Sequence, residues 1–295
     1  MKKSERKNKR AGFTIVELLT VMAVIAILIG LLVPALNLVQ DTAKDLEQRA
    51  QFHAIEVGLE IFKKEMGVYP ESMDNQYKTN AADPTPYCGA NKLAEAMVGW
   101  DLMGFHPKSE FRSDGMAWNP VTSTEELVYT DATLDEREER FIDLEKANAY
   151  QLQDIYGQSN VGSFVPDNYV LCDSFSKRRA ESGLKIGSPV LYFKANTKYK
   201  IQNSEQDSPD DADSIIDNDD VYTYTDNSDL INLGIAETGE PHLITTPAEF
   251  DDVIINDQVD IASVPYKAQS FILMSAGKDG IFGNSDDIYN FQKEK

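Results

Sequence analysis

The hydrophobic positions of this chain begin with one long run close to the N-terminus. From Leu18 to Gln40 no residue is charged, a stretch of 23 residues, and about 20 apolar residues cross a bilayer as a helix. The twelve residues before Phe13 are short, polar and basic. Because basic residues stay on the cytoplasmic side, the pattern predicts one membrane-spanning helix with the N-terminus cytoplasmic and everything after about residue 40 on the other side of the membrane.

After Gln40 the sequence turns polar but keeps a helical period. One apolar stripe has positions spaced three or four residues apart, namely Phe52, Ile55, Leu59, Phe62 and Met66. Gly67 and Pro70 end this pattern. We therefore predict a continuous helix from about Phe13 to Met66, roughly 80 Å long, whose second half covers a core.

The remaining elements are short. We predict one helix from Asn91 to Met103, with Leu93, Ala94, Met97 and Val98 facing inward. A second, strongly charged helix is predicted from Asp135 to Leu152, and a loop from Lys108 to Thr133. Four runs rich in β-branched and aromatic residues predict strands at 169–172, 189–193, 271–274 and 288–291. The expected fold class is α+β, with a small antiparallel sheet packed on the helix stripe.

The boundary between the basic leader and the apolar run carries a processing signal. A secretory signal peptide is cut after its apolar core, whereas here Ala11-Gly12-Phe13 precedes the apolar run. Together, Gly12, Phe13, Thr14, Glu17 and Pro34 resemble the prepilin signal of type IV pilins and type II secretion pseudopilins. The resemblance implies cleavage between Gly12 and Phe13 by prepilin peptidase, and N-methylation of Phe13.

Two residues of the apolar helix have expected roles in assembly. An ionised Glu17 is costly in an apolar helix unless it has a partner, and we hypothesise that the new Phe13 amine of a neighbouring subunit supplies one. The alternative is that Glu17 snorkels to the interface. Pro34 removes a backbone donor and is expected to kink or locally melt the helix.

This resemblance also implies a domain organisation and a type IV pilin-like fold. Residues 1–12 form the leader peptide, 13–40 the transmembrane and filament-core helix, and 41–295 the globular domain outside the inner membrane. An insert of about residues 71–270 makes the chain larger than a minimal pseudopilin. No function for this insert follows from the sequence.

Two segments concentrate acidic residues. The first runs from Glu205 to Asp229 and lacks the spacing of an EF-hand. It is either a solvated loop or a low-affinity cation site.

The second acidic segment lies near the C-terminus, between two predicted strands. It resembles the C-terminal calcium loop of type II secretion major pseudopilins through Ser275, Gly277, Asp279, Gly280 and the pair Asp286-Asp287. The resemblance implies a calcium loop at 275–288. Its ligands would be the side chains of Asp279, Asp286 and Asp287, the Ala276 carbonyl and an oxygen of Asn284. Such hard oxygens are what calcium takes as ligands; the alternative is a plain acidic turn.

The two cysteines, Cys88 and Cys172, match no metal-binding spacing. In an oxidising compartment they could pair and close a loop of more than 80 residues, worth roughly 4 kcal/mol on the loop-entropy model. The alternative is two buried free thiols.

The net charge and the absence of catalytic motifs argue against two other classes of protein, nucleic-acid-binding proteins and enzymes. The net charge is −21, and because the basic leader holds six cationic side chains against one Glu, the rest of the chain carries −26. Such a body repels nucleic acid. The three histidines, His53, His106 and His242, have no metal-ligand neighbours in sequence, and no phosphate loop or nucleophile elbow is present. We therefore do not expect an enzyme.

These features predict a structural subunit of a type II secretion pseudopilus. Its partners would be further copies of itself, other pseudopilins, prepilin peptidase and the inner-membrane assembly platform. The alternative is a major or minor subunit of a surface type IV pilus, used for adhesion or motility.

Overall fold

The structure is a computed structural model that describes residues 14–78, 81–180, 182–202, 220–238, 242–259 and 262–293. The chain divides into two compact units, one ending at Lys44 and one beginning at Asp45. The units are described separately.

In the first unit, the described residues consist of Thr14 and the N-terminal part of α1, a helix that runs from Ile15 to Met66. Its large apolar side chains between Ile15 and Val39 are exposed. Within the described ranges, α1 is the one helix long and apolar enough to cross a membrane, which is compatible with a single-pass anchor. The helix continues through Pro34, so local melting at this proline is not found.

In the second unit, the remainder of α1 contributes the predicted stripe to a core. Phe52, Ile55, Leu59 and Phe62 are each at most 2% exposed. They pack in one cluster with residues of a short helix and of the main sheet. The prediction of an amphipathic helix covering a core is therefore confirmed.

That short helix, α2, spans Gly89–Val98 rather than Asn91–Met103. The four residues expected to face inward, Leu93, Ala94, Met97 and Val98, are all fully buried. The helix ends at Gly99, whose φ of +90° a residue with a side chain rarely adopts. A Cβ there would lie 2.2 Å from the Gly104 carbonyl oxygen, so the chain turns away five residues earlier than expected.

In the part of the chain that the structure describes, the strands form four small antiparallel sheets. Three are two-stranded: β1 (Met116–Asn119) with β2 (Thr124–Leu127), β3 (Ala149–Gln151) with β4 (Tyr169–Leu171), and β5 (Lys177–Arg178) with β6 (Lys185–Ile186). The main sheet has three strands in the order β7 (Leu191–Lys194), β8 (Phe271–Ser275) and β9 (Ile288–Tyr289). The predicted strand at 169–172 therefore pairs mainly with β3. Its end also joins the segment that leads into β7, through an antiparallel bridge from Cys172 to Pro189 and a 2.8 Å hydrogen bond from the Val190 amide to the Leu171 carbonyl.

Both faces of the main sheet are buried. Tyr192 and Leu273 point to the cluster formed with α1 and α2. Phe193 and Ile272 point to a second cluster, because successive strand residues face opposite sides. Two further helices, α5 (Ser228–Thr238) and α6 (Pro247–Ile254), contribute to this second cluster. Part of the insert thus covers the second face of the sheet.

The predicted charged helix at 135–152 is wrong. This region holds a 3-10 turn at Asp131–Glu136, then α3 (Leu144–Ala147), β3 and α4 (Leu152–Tyr156). The amides of Glu138 and Phe141 donate instead to the carbonyls of Phe105 and Met97, each at 2.9 Å. These tertiary hydrogen bonds replace the i to i−4 bonds that a helix would need.

Two loop predictions also need correction. The loop expected at 108–133 contains the β1–β2 hairpin, beside which the nearly buried Arg112 pairs with Asp114 and Glu125, each at 2.7 Å. Of the acidic segment 205–229, residues 205–219 lie outside the described residues. Its last part is not a solvated loop, because Asp220 and Asp226 are buried, at 6% and 4% exposure.

Candidate functional site

At the start of α1, Thr14 and Glu17 bond reciprocally. The Thr14 amide and hydroxyl donate to Glu17 Oε2 at 2.8 and 2.9 Å, and the Glu17 amide donates to Thr14 Oγ1 at 3.2 Å. This is the capping-box arrangement, which satisfies amides that a helix start leaves unpaired. The sequence signal for this cap is a Thr followed three residues later by a Glu, just before an apolar run. Gly12 and Phe13 lie outside the described residues.

At the other end of the chain, the loop after β8 leads back into β9. Its backbone turns at Gly277, Gly280 and Gly283, which all have positive φ. At Gly277 a Cβ would lie 2.3 Å from the Asp286 carbonyl oxygen, so this close approach requires glycine. The loop thereby brings Asp279, Asn284 and Asp286 into contact.

These three side chains form hydrogen bonds within the loop. Asp286 Oδ2 accepts from the amides of Lys278 (2.8 Å) and Asp279 (3.2 Å). Asp279 accepts from the Ile281 amide and from Asn284 Nδ2, both at 2.8 Å. The Ala276 carbonyl accepts from the Gly280 amide at 3.2 Å. The loop is thus held by internal donors.

Asp287 differs from the other loop carboxylates. Its Oδ2 accepts from the Gly283 amide at 2.7 Å and from the Tyr289 hydroxyl at 2.8 Å. Its Oδ1 is buried and has no hydrogen-bond partner. Burial raises the pKa of the Asp287 carboxyl to about 7, and the nearby Asp286 and Asp279 carboxylates add to the increase. A cation beside Oδ1 would remove this penalty.

The chemistry of the loop therefore fits calcium, since carboxylate, amide and carbonyl oxygens are its preferred ligands. The side chains are not gathered around one point, however. Over the described ranges of the chain, no three His, Cys, Asp or Glu side chains stand close enough to hold a metal ion. Metal binding would require these side chains to move towards a common point.

Residues distant in sequence support the loop. Asp173 Oδ2 accepts from the Ser275 hydroxyl at 2.8 Å. His242 Nδ1 accepts from the Phe282 amide at 3.0 Å, and the Leu243 amide donates to the Phe282 carbonyl at 2.8 Å. Burial lowers the pKa of His242 to about 4, so the imidazole stays neutral and able to accept. No local sequence signal marks Asp173 or His242, because their contacts are tertiary.

The other predicted site residues are dispersed. Cys88 and Cys172 are both fully buried in the second core cluster and are thiols rather than a disulfide, which is the alternative given above. His53 is exposed on α1, whereas His106 and His242 are buried.

Comparison with known families gives one match. Residues 7–33 match the prokaryotic N-terminal methylation motif, which is the type IV pilin-like prepilin signal and supports the pilin superfamily. The long N-terminal helix with small antiparallel sheets is compatible with a pilin-like fold. No curated protein and no solved structure matches the chain. The motif implies processing by prepilin peptidase and polymerisation with pilin-like subunits, and families of this kind are typically non-enzymatic.

Proposed function

We propose that this chain is a structural subunit of a type II secretion pseudopilus, which polymerises through its N-terminal helix to drive protein export. The methylation motif at residues 7–33, on a helix long and apolar enough to cross a membrane, carries this proposal. The subunit is anchored in the inner membrane with its N-terminus cytoplasmic and its C-terminal domain periplasmic. Cleavage between Gly12 and Phe13, and methylation of Phe13, precede assembly.

Glu17 is the proposed assembly residue. It is the one acidic residue between Ile15 and Gln40, in a helix whose large apolar side chains are exposed. Its hydrogen bonds to Thr14 stabilise the helix start but supply no positive charge. In the filament, the Phe13 amine of a neighbouring subunit supplies that charge, and Pro34 adapts the helix to the filament core.

We propose a calcium site at 275–288, and this site is the reason to favour a pseudopilus subunit over a surface pilus subunit. Asp279, Asp286 and Asp287 would bind through carboxylates, Ala276 through its carbonyl and Asn284 through an oxygen. When bound, the cation supplies a cross-link within the loop. The unpartnered Oδ1 of Asp287 supports this ligand set. Because the ligand side chains must first be brought together, we expect weak binding, with a Kd of about 10⁻⁴ to 10⁻³ M, as in extracellular calcium modules.

Deletion of the gene in its native bacterium tests the filament type. A pseudopilus subunit is required for protein export, so proteins normally found in the culture medium should accumulate in the periplasm. If long surface fibres disappear from sheared-cell preparations while export continues, the chain is a surface pilus subunit instead. If neither changes, both assignments are wrong.

Complementation with matched variants controls this experiment. The wild-type gene should restore export. Gly12→Val, which blocks the cleavage site, should leave an uncleaved chain in the membrane and no export. Lys9→Gln changes the leader without touching the cleavage site, so it should behave as wild type.

A further inference from the structure

A lysine from outside the C-terminal loop contacts it. Lys177 lies in β5, and its ammonium group donates a hydrogen bond to the backbone carbonyl of Asp279. The two residues are 102 positions apart. The β5–β6 hairpin therefore brings a positive charge to a residue that is one of the proposed calcium ligands.

Gly280 leaves the space that this contact needs. A Cβ on Gly280 would lie 3.0 Å from Lys177 Nζ and 3.2 Å from Ser188 Oγ. Its φ of +79° also disfavours a side chain. Any larger residue at this position would crowd the lysine at the carbonyl.

The fold holds the lysine near the loop. Lys177 pairs with Ile186 across the hairpin. Arg179, which is 4% exposed, donates to the carbonyls of Ile186 and Gly187. Asp173, just before the hairpin, accepts from Ser275 at the beginning of the loop. The hairpin and the loop are thus attached to each other at a second point besides Lys177.

We propose that Lys177 is a built-in counter-cation of the 275–288 loop, which stabilises the loop without metal and competes with a divalent cation. This inference rests on the proposed calcium site. The loop carries three carboxylates against its own Lys278, and the ammonium of Lys177 adds a second positive charge that reduces the remaining repulsion. A calcium ion placed among them repels that ammonium. Lys177 therefore lowers the calcium affinity of the loop while it raises the stability of the metal-free protein.

The test is isothermal titration of calcium chloride into the full-length chain in a neutral detergent, combined with thermal unfolding in the presence of a chelator. We expect Lys177→Met to tighten calcium binding about three- to tenfold, because like charges at an exposed site interact modestly. The same variant should lower the Tm measured without calcium. Added salt should reduce the difference in calcium affinity between Lys177→Met and the wild type.

Three further variants separate charge from other effects. Lys177→Gln keeps a donor for the Asp279 carbonyl but has no charge, so it should also tighten binding, and it serves if Lys177→Met does not fold. Lys177→Arg keeps the charge and should bind as wild type. Lys185→Met removes the same charge from the adjacent strand, where Lys185 pairs with Arg178 rather than Lys177, and should leave the affinity unchanged.

The possible outcomes distinguish this inference from the calcium site itself. If the wild type binds calcium and both uncharged Lys177 variants bind equally or more weakly, Lys177 is not a competing cation but the calcium site stands. If only the uncharged variants bind, the inference is supported. If no variant binds at millimolar calcium, the calcium site and this inference both fail.

Discussion

The Ser72 hydroxyl donates a hydrogen bond to the Asp226 carboxylate, and both side chains are buried at 4% exposure. The two residues are 154 positions apart. Ser72 Oγ also accepts from the Lys194 amide of β7 at 2.9 Å. The pair therefore joins the segment after α1 to the main sheet and to the start of α5.

This buried carboxylate should make the second unit less stable as the pH rises. Burial raises the pKa of Asp226 to about 7, well above the value of about 3.9 in an unfolded chain. Ionised Asp226 is therefore unfavourable in the folded state, and the penalty is relieved as the pH falls through 7. We expect the protein to gain stability from pH 8 to about pH 5.5, as measured by urea unfolding followed by tryptophan fluorescence.

Asp226→Asn removes the charge and keeps an acceptor for Ser72. It should stabilise the protein by about 1–3 kcal/mol at pH 8, and the gain should shrink towards pH 5. Asp252→Asn is the matched control, because Asp252 is exposed. Equal effects of the two substitutions at pH 8 would show that burial of Asp226 is not the cause.

Leu59 should dominate the packing of α1 on the core of the second unit. It is fully buried, so Leu59→Ala leaves a cavity and should cost about 2–5 kcal/mol of unfolding free energy. Ile61, two residues along the same helix, is 41% exposed, and Ile61→Ala should cost under about 1 kcal/mol. Similar losses from the two substitutions, measured by denaturant unfolding, would contradict the burial pattern.

Substitutions of Glu17 test whether filament assembly requires its charge or its helix-capping hydrogen bonds to Thr14. Glu17→Gln keeps an oxygen that can accept from Thr14 but loses the charge that would pair with the Phe13 amine. We expect both Glu17→Gln and Glu17→Leu to insert normally in the membrane and to form no filaments, as judged by membrane fractionation and electron microscopy. Filaments from Glu17→Gln but not from Glu17→Leu would show that the helix cap, rather than the charge, is what assembly requires.

Asp287 should affect both the stability of the metal-free protein and its response to calcium. Because its pKa is raised to about 7, Asp287→Asn should raise the Tm at pH 8 in the presence of a chelator. The same substitution should abolish the increase in Tm that we expect millimolar calcium to produce in the wild type. Asp257→Asn, at an exposed position, should change neither quantity. A calcium-dependent increase in Tm that survives in Asp287→Asn would remove Asp287 from the ligand set.

Several helices and strands could be predicted from the local pattern of apolar and polar residues in the sequence. The apolar stripe at 52–66 identified the buried face of α1, and the inward side of α2 was predicted residue by residue. The strands at 191–194, 271–275 and 288–289 were located by their β-branched and aromatic residues. The charged segment 135–152 was predicted wrongly, because helix propensity is a weak preference that the hydrogen bonds of Glu138 and Phe141 to residues near α2 override.

The chain's local chemistry was sufficient to predict the apolar half of the N-terminal helix and the prepilin signal, since both depend on residues within one stretch of about thirty positions. It was also sufficient to single out the acidic loop at 275–288. The neighbours of that loop, Asp173, Lys177 and His242, became visible only in the folded chain. Each reaches the loop from a distant segment through a hydrogen bond that spacing along the sequence cannot encode.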